Sequence, residues 1–156
     1  MRRKEREITD LSEKLAVLKK CKVCRLGLSL HDEPYIIPLN FGYSFADNVL
    51  TLYFHSAAEG KKIDVLRANP RACFEIDTDH KLVESDIACG YSFRYASLIG
   101  SGRVTFVTGT EEKCRALNAL MQHQTGTDRT FTFSDAEIER VLVYKLTVSE
   151  FSGKRY

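Results

Sequence analysis

The chain lacks most of the features that would assign it to a large functional class at once. None of its apolar runs approaches the ~20 residues of a membrane-spanning helix, so no helical span is expected. The first residues carry charge with no apolar segment behind them, so no signal peptide is expected. Arg2-Arg3-Lys4 is too short to be more than a solvated basic tail. Lys and Arg number 23 against 21 Asp and Glu, a near balance with no global pull toward nucleic acid or a membrane surface. Five cysteines are an odd number and have no partner motif, which fits reduced thiols in a cytoplasmic protein. Cys21-Lys22-Val23-Cys24 has no second pair and no paired histidines, so it reads as structural rather than as a metal site.

Two nucleotide motifs are also missing. A P-loop needs Gly, four residues, then Gly-Lys-Ser/Thr; here His55 stands in the first glycine position and Lys62 in the hydroxyl position. Gly100-Ser101-Gly102 is a Gly-x-Gly with no helix after it, so a dinucleotide fingerprint is not supported. There is no repeat, no low-complexity segment and no linker. With 44% apolar residues, the 156-residue chain is expected to fold as one domain, 1–156, with its own core.

What is present is a run of short alternating segments. Residues 8–20 read as an amphipathic helix, with Asp10 and Glu13 at capping-box spacing and Leu11, Leu15 and Leu18 on one face. Residues 22–30 alternate, with Cys24, Leu26, Leu28 and Leu30 on one side. Strands are expected at 35–46 and 49–55 about an Asp47-Asn48 turn. A helix at 60–68 stops at Asn69-Pro70. Further strands are expected at 72–77, from about 89 to 107 with a bulge near Gly100 and Gly102, and at 141–148. Helices are expected at 111–123 and after Ser134, where Glu137 completes a capping box. Six strands with short turns and peripheral helices predict a mainly β, α+β fold: a six-stranded antiparallel split β-barrel.

The most informative stretch runs from Leu52 to Asp64. It is a strand, a loop of small residues, and a helix opening with Lys61 and Lys62. The first turn of a helix has free backbone N–H groups, and its dipole favours negative charge. Two ammonium groups and the Ser56 hydroxyl stand at the same place. A phosphate monoester fits such a site, although the two lysines also fit a solvated helix face. No nucleophile accompanies it, which favours a phosphorylated cofactor over a phosphate being cut.

In this order the segments resemble the flavin mononucleotide (FMN)-binding split barrels related to pyridoxamine 5′-phosphate oxidase, and most of all their nitroimidazole-resistance branch. The likeness is carried by Pro38-Leu39-Asn40-Phe41-Gly42-Tyr43, by Tyr53-Phe54-His55-Ser56 with Gly60-Lys61-Lys62, by Tyr95 to Gly102, and by Phe151-Ser152-Gly153-Lys154. The resemblance implies that backbone groups of Pro38, Leu39, Asn40, Phe41 and Gly42 edge the isoalloxazine ring. His55 and Ser56 would lie along the ribityl-phosphate arm, and Gly60, Lys61 and Lys62 would hold the phosphate. Ser97 would come from the other subunit of a homodimer with shared FMN sites. His55 is the candidate catalytic residue, as a cation or a proton donor; a packing role fits it equally. The chain has no tryptophan and lacks the oxidase's arginine-rich C-terminal pattern, so pyridoxamine phosphate oxidation is not the expected reaction. The implied function is an FMN-dependent oxidoreductase acting on a small organic molecule, with nitroaromatics the nearest example. The alternatives are a non-catalytic flavin- or haem-binding module, or an enzyme like the oxidase itself. Cys73, Cys89 and Cys114 are expected to be small buried hydrophobes.

Overall fold

A computed structural model describes residues 3–156. The part of the basic tail before Arg3 lies outside the described residues. Among these residues are eight strands and four α-helices: β1 (Glu7–Ile8), α1 (Leu11–Lys20), β2 (Val23–Leu30), β3 (Glu33–Asn40), β4 (Gly42–Ala46), β5 (Val49–Ser56), α2 (Lys61–Ala68), β6 (Arg71–Val83), β7 (Ser92–Val107), α3 (Thr110–Thr125), α4 (Asp135–Arg140) and β8 (Leu142–Arg155). All pairings are antiparallel, in the order β3-β2-β6-β7-β8-β5-β4, with β1 added to the far end of β8.

The two strands at the ends of this order, β3 and β4, are consecutive in the chain. One residue, Phe41, joins them. The sheet must therefore curl until its two edges stand side by side, which makes a barrel with a seam at Phe41. The antiparallel split-barrel expectation holds, with eight strands rather than six. The extra strands have long-range causes. The expected strand at 35–46 breaks at Phe41 because the chain changes edges there, and β1 gains its partner only from the distant C-terminus.

The seam is closed by α3. Gly42 is buried, and a Cβ on it would collide with the backbone of Ala119 and Leu120. Gln124 Nε2 donates to the Phe41 carbonyl at 2.8 Å and to the Lys22 carbonyl at 3.1 Å. Asn40 Nδ2 donates to Gln124 Oε1 and to the same Lys22 carbonyl. His123 lies buried beneath, 4.7 Å from the Phe41 ring and 5.1 Å from the Tyr43 ring, with Nε2 2.7 Å from the Cys21 carbonyl oxygen.

The core is the inward alternation of each strand: Cys24, Leu26 and Leu28 of β2, Leu50, Leu52 and Phe54 of β5, Phe74 and Ile76 of β6, and Tyr144 and Leu146 of β8. Asp10 caps α1 by accepting from the Ser12 amide. Glu13 takes no part in that cap and instead pairs with Arg155. The Ser134–Glu137 capping box forms as expected. A register shift between Ser101 and Gly102 gives the bulge expected there. Strands β6 and β8 run well past the expected 72–77 and 141–148, so the segment ending Lys154 is paired sheet and not a loose tail.

Cys21 and Cys24 are both buried, and burial pushes their thiols up to about 11 and about 12, with Asp77 and Glu75 respectively adding to the shift. The other cysteines correct the expectation of burial. Cys73 is exposed because it alternates outward between buried Ala72 and Phe74, and Cys89 is exposed in a short 3-10 turn (Ala88–Gly90) ahead of β7. Cys114 is half-buried.

Candidate functional site

Ser56 ends β5 and Lys61 begins α2, so residues 57–60 form the loop between them. Gly60 has φ 118° and ψ 163°, a conformation that side-chain-bearing residues rarely adopt. Glycine offers no side chain to cap the helix, and none does. The Gly60 carbonyl accepts from the amides of Ile63 at 2.8 Å and Asp64 at 3.2 Å. The amides of Lys61 and Lys62 have no protein acceptor among the described residues. Two bare N–H groups therefore stand at the positive end of the helix dipole, on the two residues that also carry the lysine charges. Sequence spacing alone anticipated this element at its correct place.

Several side chains refine it. Lys61 Nζ stands 4.8 Å over the ring of Tyr35, which comes from β3 and was not foreseen. The two residues share a small hollow with Leu30, His31, Pro34 and Val65. The Ser56 hydroxyl donates to the neighbouring Ala57 carbonyl at 2.8 Å. His55 is on the exposed side of β5, opposite buried Phe54. Its pKa is held below the usual histidine value, first by partial desolvation against the protein and then by the Lys62 charge. The imidazole is thus biased to its neutral form when no anion is bound.

The remaining predicted residues divide into two groups. Pro38, Leu39 and Asn40 lie on β3, which among the described residues pairs with β2 alone and leaves its outer edge without a ladder partner. Phe41 and Gly42 are instead buried in the seam. Among these five, Asn40 spends its amide on Lys22 and Gln124. Ser97 lies on the outer face of β7, between buried Ala96 and Leu98, and pairs with Asp77 and Lys154. Ser56 pairs with Leu142, toward the opposite end of β8 from Lys154. One chain does not bring Ser97 to the loop at Ser56.

The outer face of β2, β6 and β7 carries a groove of about 740 Å³ that sequence reading did not foresee. Ile36 and Ile99, 68% and 56% exposed, line it with Cys73. Arg25 crosses its end, with Nη1 3.0 Å from Glu75 and 2.5 Å from Asp77. The outward positions of these strands alternate with core positions, so the apolar members were legible only as parity exceptions. No helix among the described residues is long and apolar enough to cross a membrane.

Known proteins share this architecture. A family model described as pyridoxamine 5′-phosphate oxidase matches residues 10–155. A candidate 5-nitroimidazole antibiotic resistance protein from Bacteroides thetaiotaomicron has a similar structure, with a TM-score of 0.82 and 36% identity over 96% of this chain and 86% of that one. The flavocytochrome Anf3 from Azotobacter vinelandii superposes with a TM-score of 0.79 at 19% identity, over 100% of this chain and 72% of that one. The FAD and heme binding protein from Mycobacterium smegmatis gives 0.79 at 19% identity, over 96% and 73%. At that identity these last two speak for the fold alone. Among curated proteins no match is found.

Proposed function

The chain belongs to the pyridoxamine 5′-phosphate oxidase family, and from that premise we propose that it is an FMN-dependent oxidoreductase acting on a small organic molecule, of which a nitroaromatic is the leading example. The observation that carries the reading is the uncapped start of α2. Two bare amides, two lysines and the Ser56 hydroxyl form a donor set for a phosphate monoester. The chemistry of that donor set fits the FMN phosphate, and the free edge of β3 at Pro38 to Asn40 fits the polar rim of a flavin ring. A bound flavin supplies the hydride or electron transfer. In this reading the chain's own residues bind and orient it, and His55 holds or passes a proton beside the arm.

The assembly in this reading is a homodimer. Ser97 stands away from the loop in its own chain, and the groove at Ile36 and Ile99 exposes apolar surface on the same face of β7 as Ser97. A second copy covering that face would bring its Ser97 toward this chain's site. The 36% identical relative, a candidate 5-nitroimidazole resistance protein, supports nitroaromatic reduction over pyridoxamine phosphate oxidation. The absent tryptophan points the same way.

The test is an absorption spectrum of the purified protein and mass spectrometry of the ligand released on denaturation. FMN gives oxidised-flavin bands and the FMN mass. FAD alone, a Soret band alone, or no affinity for added FMN would each overturn the reading. Turnover with a reduced nicotinamide and a nitroimidazole then separates an enzyme from a binding module.

A further inference from the structure

Among the described residues, the hydroxyl of Tyr144 is the buried side-chain oxygen that meets no hydrogen-bond partner. The residue is 0% exposed. Its ring is stacked on Phe54 at 5.5 Å and meets Phe106 edge-on at 6.2 Å, so it does not swing out to water. A buried hydroxyl without a partner weakens a fold, and phenylalanine would fill the same space without that penalty. Packing therefore does not account for the oxygen.

The sheet register shows what it faces. Phe54 pairs with Tyr144 and Ser56 pairs with Leu142, so all four side chains share the inward face. Ser56 is the diagonal neighbour of Tyr144, a separation that an aromatic side chain spans. Burial pushes the Tyr144 hydroxyl up to about 12, offset in part by hydrogen bonding with the Ser56 side chain, so the phenol keeps its proton and has it to give to a serine. The Ser56 hydroxyl now donates to the Ala57 carbonyl. Its own lone pairs are free to accept.

We propose that Tyr144 is a positioning residue for the anion site: its hydroxyl donates to Ser56 Oγ and directs the Ser56 proton outward to a phosphate oxygen held at the start of α2. The inference rests on the phosphate-binding reading given above. On binding, Ser56 exchanges the Ala57 carbonyl for the phosphate oxygen while Tyr144 supplies the hydrogen bond behind it. A hydroxyl that accepts one hydrogen bond donates the next more strongly. No proton changes owner.

The experiment titrates FMN and riboflavin into the flavin-free full-length chain and follows flavin fluorescence. In Tyr144→Phe the Kd for FMN should rise about two- to tenfold, the worth of one hydrogen bond, while that for riboflavin stays unchanged. The thermal midpoint of the flavin-free variant should stay level or rise, since the lost oxygen had no partner. In a Ser56→Ala background, Tyr144→Phe should have no further effect on FMN. Equal weakening of both flavins would mean a packing role and overturn the proposal. So would an unchanged FMN affinity, an effect that persists in full without Ser56, or a Tyr144→Phe chain that fails to fold. A wild-type protein with no preference for FMN over riboflavin would instead overturn the phosphate reading itself.

Discussion

Gln124 donates to the carbonyl of Phe41 at 2.8 Å, and by that bond α3 holds the single residue that joins the two edges of the sheet. The same helix presses its backbone on Gly42, where there is no room for a side chain. The seam is therefore closed by a helix and not by a ladder of strand hydrogen bonds. Gly42→Ala should destabilise the protein by at least about 1–3 kcal/mol, the usual cost of overpacking, because the colliding atoms are backbone and cannot rotate away. Chemical denaturation measures it. A midpoint equal to wild type would show that α3 is free to shift.

The proposed anion site makes a separable prediction. Replacing Lys61 and Lys62 with alanine should weaken FMN far more than riboflavin, by roughly 1.5–3 kcal/mol for each charge-assisted contact. The bare amides at the start of α2 remain in the double variant, so residual FMN preference should survive and fall with salt. Calorimetry with the two flavins reads the difference. Equal FMN affinity in variant and wild type would remove the phosphate site.

His55 should respond to the cofactor. Its pKa is lowered by desolvation and by Lys62, and a phosphate beside it would draw it back up. FMN should therefore bind more tightly as pH falls toward 6, and His55→Ala should remove that dependence. If His55 also passes a proton, the variant should turn over about 10²–10⁴-fold more slowly with FMN still bound. Full occupancy, an unchanged rate and an unchanged pH profile would leave it a structural residue.

Acid should loosen the seam. Burial lowers the pKa of His123, the Lys22 charge lowers it further, and the Cys21 carbonyl offsets part of the shift. A histidine held neutral in the fold takes up its proton more readily when unfolded. The stability it contributes is full above the unfolded value of about 6.5 and is lost as pH falls through the lower folded value. His55 acts in the same direction. Denaturation midpoints should fall between pH 7.5 and 5.5, and His123→Gln should flatten that slope, whatever its cost at neutral pH. An equal slope in the variant would assign the acid sensitivity to other groups.

The proposed dimer predicts its own rupture. Ile99→Glu, with or without Ile36→Glu, should give a folded monomer by sedimentation, because both side chains are more than half exposed and leave the core untouched. That monomer should bind FMN more weakly, since Ser97 of a second copy would be missing. A wild-type monomer that binds FMN fully would contradict the shared site.

The alternation Cys24, Leu26, Leu28 and the pattern of β5 determined the core strands without help, because side chains on a pleated strand must take opposite faces. The strand–loop–helix at Ser56 to Lys62 was equally local, since an uncapped helix start carrying basic residues is written within a few positions. Other features have no local signature. β1 exists only because Glu7 and Ile8 meet Lys154 and Gly153 from the other end of the chain. The break at Phe41 looks like continuous strand until the sheet curls and puts its two edges at one residue. His123, assigned no role from its sequence, becomes the plug of that seam because α3 lies across it. Tyr144 reads as one more core residue along β8, and only the register with β5 makes it the diagonal neighbour of Ser56. Sequence determines which face a side chain takes, because that is decided within a few residues. Tertiary structure decides which distant groups then share that face, because strand pairing and curvature set it over the whole chain.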